Sequence, residues 1–299
     1  MSTLANMNLM TLMEDFDTDA ECRSELKELR WPDGVECPRC QSKSISTKKE
    51  RQQYDCNSCR YQFSATSGTI FHDSHLPLPK WFAAAYLMCE SKKGISANQL
   101  KRTLHVSYKT AWYLCHRIRK AMEEVRPKQL NGTVEVDETY IGGHYDKRRK
   151  RGPWEKQPVM GMIQRDGKFE ARTIPTVSKQ ILISIIKQRV SEKATVYTDD
   201  NAAYTSLKDS HKHASVNHSA EEWVRGKVHT NTIESAWSLF NRSVIGSYHK
   251  LSIKHLDAYL NEFEWRFNNR SNPYLFRDTL IKLIASQKLE YRELIEKSA

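Results

Sequence analysis

Two pairs of cysteines constrain the N-terminal part of the chain more than any other feature. Each pair has the spacing Cys-x-x-Cys, as Cys37 with Cys40 and Cys56 with Cys59, and 15 residues separate the two pairs. Four thiolates at this spacing can complete a closed tetrahedral shell around Zn²⁺, which is typical of structural zinc. The spacing therefore predicts a zinc ribbon, and a redox dithiol is the alternative interpretation.

Composition indicates a soluble globular protein with a basic surface. The 299 residues include 47 Lys or Arg against 36 Asp or Glu, the hydrophobic fraction is 39% and the mean hydropathy is −0.69. This length allows two or more domains, and the charge favours a polyanionic partner, although a solvated basic surface also explains it. The sequence has no run of 18 apolar residues and no signal-like N-terminus, so we expect a cytoplasmic protein without membrane contact. In that reducing compartment a disulfide framework is not expected.

Helical periodicity follows the cysteine region. We predict helices over Trp81–Cys89, over 96–104, and from a Ser107 cap to about Val125. Three short helices with basic residues on the last one are typical of a helix-turn-helix unit, while a helical linker with solvated charges is the alternative. Four cations of the last helix are predicted to lie outside its apolar stripe and to contact DNA: Lys109, Arg117, Arg119 and Lys120.

Beyond Gly132 the pattern becomes that of a mixed α/β sheet, with three carboxylates at distinctive places. Asp137 lies within a predicted strand, Asp199 directly follows another, and Glu234 lies on a predicted helix, outside its apolar stripe. Carboxylates that converge repel one another unless cations lie between them, and oxygen-only ligands suit Mg²⁺ or Mn²⁺. Two such ions support phosphodiester displacement, so the pattern indicates phosphoryl transfer on nucleic acid. Each acid alone is equally explained as a buried or capping carboxylate.

A basic loop follows the first of these strands. Residues 146–151 read Asp-Lys-Arg-Arg-Lys-Arg, which is too charged to enter a core. Lys147, Arg148 and Arg149 are therefore predicted to contact DNA beside the acidic residues.

Several motifs, in order, resemble those of bacterial insertion-sequence transposases of the zinc-ribbon type, the ISXO2-like group. They are Arg-Trp-Pro-Asp-Gly (30–34), Phe-Ser-Ala-Thr-Ser-Gly-Thr-Ile-Phe (63–71), Val-Asp-Glu-Thr-Tyr-Ile-Gly-Gly (136–143), Thr198-Asp199, His-Thr-Asn-Thr-Ile-Glu (229–234) and Glu262-Phe-x-x-Arg266-Phe-Asn-Asn-Arg270. The resemblance implies a multidomain α+β protein with an N-terminal zinc ribbon, a helix-turn-helix-like region and an RNase H-like DDE catalytic domain. The implied boundaries are an N-terminal helix at 1–20, the ribbon at 21–75, the helical DNA-binding region at 76–130, and the catalytic domain with C-terminal helices at 131–299.

The resemblance also assigns roles to residues. It implies that Asp137, Asp199 and Glu234 are both the catalytic residues and the ligands of catalytic Mg²⁺ or Mn²⁺, with 61 and 34 residues between successive members. Many relatives have lysine seven residues after the third acid. Here Asn241 stands at that place, and Arg242 is the candidate for the phosphate contact.

The function implied is a DNA transposase, an enzyme that cleaves phosphodiesters with a metal ion and transfers the freed strand. Its expected partners are terminal inverted repeats, target DNA and further copies of the same chain, since two ends must be joined. Two alternatives stay open: a nuclease without strand transfer, and a zinc-ribbon DNA-binding regulator with an inactive RNase H-like domain.

Overall fold

A computed structural model of the chain describes residues 4–126, 128–142, 156–217 and 220–296. The predicted basic loop, with Lys147, Arg148 and Arg149, lies outside the described residues. The described helices, numbered in chain order, are α1 (Leu9–Asp15), α2 (Asp19–Arg30), α3 (Leu78–Glu90), α4 (Ala97–Leu104), α5 (Tyr108–Ala121), α6 (Lys179–Arg189), α7 (Asn231–Ser243), α8 (Leu256–Asn268), α9 (Leu275–Ala285) and α10 (Tyr291–Ile295). The described strands are β1 (Ile45–Lys48), β2 (Gln53–Cys56), β3 (Gln62–Phe63), β4 (Thr133–Ile141), β5 (Gln157–Gln164), β6 (Phe169–Thr173), β7 (Thr195–Thr198) and β8 (Lys212–Ser215).

The chain divides into two compact units. The N-terminal unit comprises residues 1–123 and 269–299, and the sheet unit comprises residues 124–268. The division near residue 124 lies close to the boundary predicted before residue 131. Residues 269–299, expected with the catalytic domain, instead pack with the N-terminal unit. No helix of the described part of the chain is long and apolar enough to cross a membrane.

The zinc ribbon is a three-stranded antiparallel sheet in the N-terminal unit. Its strand order is β1-β2-β3, as the sequence predicts. Trp31 packs edge-on against Tyr54 and Phe63, so the end of α2 contributes aromatic surface to the small sheet. Arg30 lies over the Trp31 ring and donates hydrogen bonds to the backbone oxygens of Ala65 and others in the following loop. The motif residues on both sides of the ribbon therefore have a packing role.

The four ribbon cysteines form one cluster. Their sulfur atoms all lie within 4.8 Å of one another, with 3.6 Å between Cys37 Sγ and Cys59 Sγ and 3.5 Å between Cys40 Sγ and Cys56 Sγ. Tetrahedral Zn–S bonds of about 2.3 Å place sulfur atoms at about this separation. The backbone N–H of Cys59 is the main cause that lowers the pKa of the Cys56 thiol to about 6, which favours the thiolate that zinc binds. The cluster therefore fits a structural zinc ion.

The sheet unit is built on five strands in the order β6-β5-β4-β7-β8. The β4, β5 and β6 strands are antiparallel neighbours, whereas β7 is parallel to β4 and β8 is parallel to β7. One face packs on α6 through a cluster that includes Val134, Val136 and Ile186. The other face packs on α7 and α8 through a cluster that includes Ile233 and Phe263. This mixed α/β architecture confirms the predicted RNase H-like fold class.

Three helices differ from the prediction. The α2 helix was not expected from apolar periodicity, but its capping box, in which Thr18 and Glu21 bond reciprocally, is a sequence signal for it. The α5 helix ends at Ala121 rather than near Val125, whose side chain is 84% exposed and adds nothing to the buried stripe. The sequence predicts a helical stretch from Leu275 to Glu296, but extended backbone after Ala285 separates α9 from α10.

We expect one zinc ion per chain, and we expect the Cys37→Ser substitution to abolish its retention and unfold the ribbon. Structural zinc contributes an apparent free energy of about 10–16 kcal/mol to small folds of this kind. Metal analysis by mass spectrometry and far-UV circular dichroism with and without a zinc chelator measure both effects. The Cys22→Ala variant, which alters a buried cysteine outside the cluster, is the control and should retain its zinc. A protein purified without chelators that contains no zinc would contradict this assignment.

Candidate active site

The β4 strand places its side chains on two different faces of the sheet. Val134 and Val136 point to the α6 side, where they belong to the same apolar cluster as Leu182. Since side chains alternate along a strand, Glu135 and Asp137 point to the opposite side, which α7 covers. The backbone N–H of Ile233 in α7 accordingly donates a hydrogen bond to the Glu135 carboxylate.

Asp137 and Asp199 follow the paired part of two parallel strands. The β4 and β7 strands pair Thr133 with Thr195 and Glu135 with Tyr197, where the pairing ends. Each aspartate lies two residues beyond that last pair, Asp137 within β4 and Asp199 directly after β7. Repulsion by Asp199 contributes to the raised pKa of Asp137, so the two carboxylates lie near each other.

Glu234 comes from the helix that packs on this same face. It belongs to the first turn of α7, and its carboxylate accepts a hydrogen bond of 2.6 Å from the Thr230 hydroxyl. Trp237, three residues later on α7, packs onto Gly161, which pairs with Asp137 across β4 and β5. A Cβ atom on Gly161 would lie 2.3 Å from the Trp237 ring, so glycine is needed for this close approach. The approach holds the first turns of α7 near Asp137.

Burial and neighbouring charges raise the pKa of two of the acidic residues, Asp137 and Glu138. Burial is the main cause that raises the pKa of Asp137 to about 7, and repulsion by Glu138, Asp199 and Glu234 adds to it. Burial also raises the pKa of Glu138 to about 7, although the Tyr204 hydroxyl donates a hydrogen bond to its carboxylate and opposes the shift. Because Glu138 follows Asp137 on the strand, its side chain points to the α6 side, although its charge still acts on Asp137.

The acids do not form a compact ligand set as they stand. Within the described ranges, the ribbon cysteines are the only group of three or more His, Cys, Asp or Glu whose ligand atoms all lie within 4.8 Å. Mutual repulsion opposes closer approach of the carboxylates, and the Thr230 hydroxyl bonds to one oxygen of Glu234. Oxygen-only donors on adjacent strands and a nearby helix nevertheless fit the chemistry of Mg²⁺ or Mn²⁺.

Asp200 differs from its neighbour Asp199 in its surroundings. Asp200 is exposed, whereas Asp199 is partly buried and accepts a hydrogen bond of 3.1 Å from the backbone N–H of Asn201. Of the two neighbours, Asp199 is the one whose charge contributes to the raised pKa of Asp137.

Two of the cations that were predicted to contact DNA are buried, so the prediction that they lie on the surface is wrong. Arg117 is 3% exposed, donates hydrogen bonds to the backbone oxygens of Ile70 and His72, and lies over the Trp81 ring. Arg119 is 2% exposed. The contacts of Arg117 stabilise the packing of the N-terminal unit, and the burial of both arginines shows that α5 is covered on more sides than its apolar stripe suggests.

The other predicted cations are exposed. Lys109 lies over the Tyr291 ring at 4.5 Å, and Lys120 forms an ion pair of 2.7 Å with Glu123. Arg242 is exposed near the end of α7. These three residues stay candidates for phosphate contacts.

Sequence reasoning missed Glu135 and Arg165. Glu135 is completely buried and forms an ion pair of 2.7 Å with Arg165, which belongs to the turn after β5. An acid between two valines of a buried strand was the available signal, because a buried carboxylate requires donors.

Two family models match the chain. The ISXO2-like transposase domain matches residues 129–268, and the transposase zinc-ribbon domain matches residues 17–62. The first match falls on the sheet unit and contains the three acids, and the second contains the four clustered cysteines.

Curated relatives and solved structures also resemble the chain. An uncharacterized protein in the transposable element ISH50 of Halobacterium salinarum is 32% identical over 279 residues, which cover 86% of this chain and 93% of that protein. An uncharacterized transposase-like protein of Haemophilus influenzae is 32% identical over 97 residues, or 32% of this chain and 77% of that protein. Among solved structures, the catalytic core domain of BIV integrase matches with 14% identity and a TM-score of 0.32, over 50% of this chain and 95% of that one. A pre-cleavage Mos1 transpososome matches with 12% identity and a TM-score of 0.26, over 68% and 75% of the respective chains.

The raised pKa of Asp137 predicts that the Asp137→Asn substitution stabilises the protein in buffer without divalent cations. The folded-state pKa of about 7 exceeds the ordinary value of 3.8, so stability falls as the pH rises from about 4 to about 7. Removing the charge should recover about 1 kcal/mol or more at pH 8, and each kcal/mol corresponds to about 2–4 °C in Tm.

Differential scanning calorimetry at pH 8 and pH 5 measures this effect, which should be larger at pH 8. The Asp200→Asn variant is the control, since that side chain is exposed and its loss should leave Tm unchanged. A lower Tm for Asp137→Asn than for the wild type at pH 8 would show that Asp137 is not electrostatically strained.

Proposed function

The chain belongs to the family of ISXO2-like transposases, and we propose that it binds the ends of an insertion sequence, cleaves their phosphodiester bonds and joins them to target DNA. The observation that carries this proposal is the placement of Asp137 beside Asp199 on the sheet face that the Glu234-bearing α7 helix covers. Neighbouring carboxylates in a buried strand require compensating partners or ions, because burial and mutual repulsion both destabilise their charged form.

In this proposal Asp137, Asp199 and Glu234 hold Mg²⁺ or Mn²⁺. When bound, such ions activate the attacking oxygen and stabilise the leaving oxygen of an in-line displacement. The role of the chain is to fix the three carboxylates on rigid elements, two strands and one helix. Burial and the neighbouring carboxylates raise the pKa of Asp137 to about 7, and a bound cation would favour its charged form.

The reaction has two displacements at phosphorus. In the first, a water oxygen forms a bond to phosphorus, the bond to the 3′ oxygen breaks, and that oxygen leaves as a 3′-hydroxyl. In the second, this 3′-hydroxyl attacks a phosphodiester of the target, which releases another 3′-hydroxyl. Each step exchanges one P–O bond for another and needs no redox partner. Joining two ends requires two sets of acids, so we propose a homo-oligomer.

We place DNA binding on the α4 and α5 helices of the N-terminal unit. The chain has no Asp or Glu between Glu90 and Glu123, so this segment has a strongly positive net charge. Its exposed cations are Lys92, Lys93, Lys101, Arg102, Lys109 and Lys120. A Ser107 cap begins α5, and Tyr108 and Lys109 in its first turn are exposed, as required of a helix whose N-terminal end enters a DNA groove.

Cleavage by the wild type and by single variants tests the chemistry. We expect Asp137→Ala, Asp199→Ala and Glu234→Ala each to reduce cleavage of a labelled end substrate in Mg²⁺ or Mn²⁺ by about 10³-fold, because a lost ligand misplaces the attacking oxygen. Affinity for the same DNA should persist. The assay resolves cleaved ends and strand-transfer products on a gel.

The neighbour variant Asp200→Ala is the matched control and should cleave normally. Near-normal cleavage by any of the three variants would remove that acid from the proposal. Cleavage without joined products would favour a nuclease, and tight end binding without cleavage by the wild type would favour a regulator.

Lys109→Ala should weaken binding of end DNA and make it less sensitive to salt. Each phosphate contact contributes about −0.9 to the slope of log K against log salt concentration, so losing one contact should reduce that slope by about one unit. Fluorescence anisotropy between 50 and 200 mM salt measures the slope. Lys193→Ala, which removes an exposed lysine of the sheet unit, is the control. An unchanged slope for Lys109→Ala would place the DNA contact elsewhere.

A further inference from the structure

Glu135 is a fully buried acid of the sheet unit whose carboxylate is surrounded by hydrogen-bond donors. Its side chain is 0% exposed, and four hydrogen bonds converge on its carboxylate. Thr232 donates from its backbone N–H at 2.8 Å and from its hydroxyl at 2.8 Å, Ile233 donates from its backbone N–H at 3.1 Å, and Arg165 donates from Nε at 2.7 Å. The Nδ1 atom of His229 lies 3.3 Å from the same carboxylate.

These contacts cap the α7 helix from a different element of the fold. Thr230, at the residue before α7, makes no side-chain capping bond to it. The first turn of a helix has free backbone N–H groups and a partial positive charge, and a carboxylate satisfies both. Here β4 supplies that carboxylate, so the strand fixes both the position and the direction of the helix start.

Arg165 extends the connection to other elements. Besides binding Glu135, it donates to the backbone oxygens of Lys227 at 2.9 Å and His229 at 3.0 Å, which belong to the segment before α7. Its guanidinium lies 4.9 Å from the ring centre of Tyr197 on β7. One ion pair therefore joins β4, β7, the turn after β5 and the approach to α7.

The position of this ion pair relative to the acids gives it a specific consequence. Asp137 follows Glu135 by two residues on the same face of β4, Asp199 follows Tyr197 by two residues on β7, and Glu234 directly follows Ile233. Each of the three acids thus lies one or two residues from a member of the Glu135–Arg165 pair or from a residue that contacts it. A displacement of the first turn of α7 would move Glu234 relative to the two aspartates.

We propose that Glu135 and Arg165 are positioning residues, which set the distance between the Glu234 carboxylate and the carboxylates of Asp137 and Asp199, and so set the affinity for the divalent cations. The inference rests on the proposed function in that it takes these three acids as the ligands. Neither Glu135 nor Arg165 touches the reacting atoms.

The test measures Mn²⁺ binding to the full chain by electron paramagnetic resonance of free Mn²⁺, without DNA. We expect Glu135→Gln to raise the apparent Kd for Mn²⁺ by about 10-fold or more, since loss of a group that orients metal ligands typically costs about 10–100-fold in metal affinity. Arg165→Lys should shift Kd in the same direction, because lysine cannot reproduce the donor geometry of the guanidinium. Hydrogen exchange of the peptide over residues 229–240 should accelerate in both variants.

The matched control is Glu170→Gln in the same unit. Glu170 is 4% exposed and binds Arg189 through two hydrogen bonds of 2.9 and 2.7 Å, so it is also a buried acid paired with an arginine, but these bonds do not involve α7. We expect it to lower thermal stability without changing the Kd for Mn²⁺. If Glu135→Gln does not fold, Thr232→Val removes one donor and keeps the charge, and it should give a smaller shift in the same direction.

The outcomes separate the two proposals. If Asp137→Asn binds Mn²⁺ as the wild type does, the assignment of the ligands fails. If Asp137→Asn loses Mn²⁺ but Glu135→Gln and Arg165→Lys retain the wild-type Kd despite faster exchange in α7, the positioning role fails. An equal increase in Kd for Glu170→Gln would likewise overturn it, because general destabilisation would then explain the effect.

Discussion

Burial of like charges on one face of β4 is the constraint on which the candidate site depends. Glu135 and Asp137 are two residues apart on that face, yet their surroundings are opposite. Hydrogen-bond donors surround Glu135, whereas burial, and then repulsion by nearby carboxylates, raises the pKa of Asp137 to about 7. The compensated acid can stabilise the packing of α7 against the strand. Burial and repulsion destabilise the charged form of Asp137, and a bound cation would offset both effects.

The close approach of α7 to the sheet depends on a second local feature. Gly161 pairs with Asp137, and the Trp237 ring occupies the space where a side chain would begin. Trp237 also packs edge-on against Phe169 on β6, so aromatic packing on this face stabilises the position of α7 against the sheet. Packing thus controls how near the helix lies, while the Glu135 carboxylate controls where it begins.

The sequence predicted those features that depend on local pattern. The cysteine spacing and the strand that contains Asp137 both have signals within a few residues, and the ribbon and mixed sheet were confirmed. Contacts between distant residues were not predictable in this way. Glu135 receives hydrogen bonds from Arg165 and Thr232, which are 30 and 97 residues away in sequence. Arg117 was predicted outside α5, but it is bonded to carbonyls 45 and 47 residues earlier, and helical periodicity reveals only one buried face.

The most direct test of the central claim is anomalous diffraction from crystals of the chain soaked in MnCl₂. Data collected above the manganese absorption edge, and again at the zinc edge, identify each ion by its scattering. We predict manganese peaks in contact with Asp137, Asp199 and Glu234, and a separate zinc peak within the four ribbon cysteines. Manganese absent from these acids at millimolar concentration, with the zinc peak present, would contradict the account.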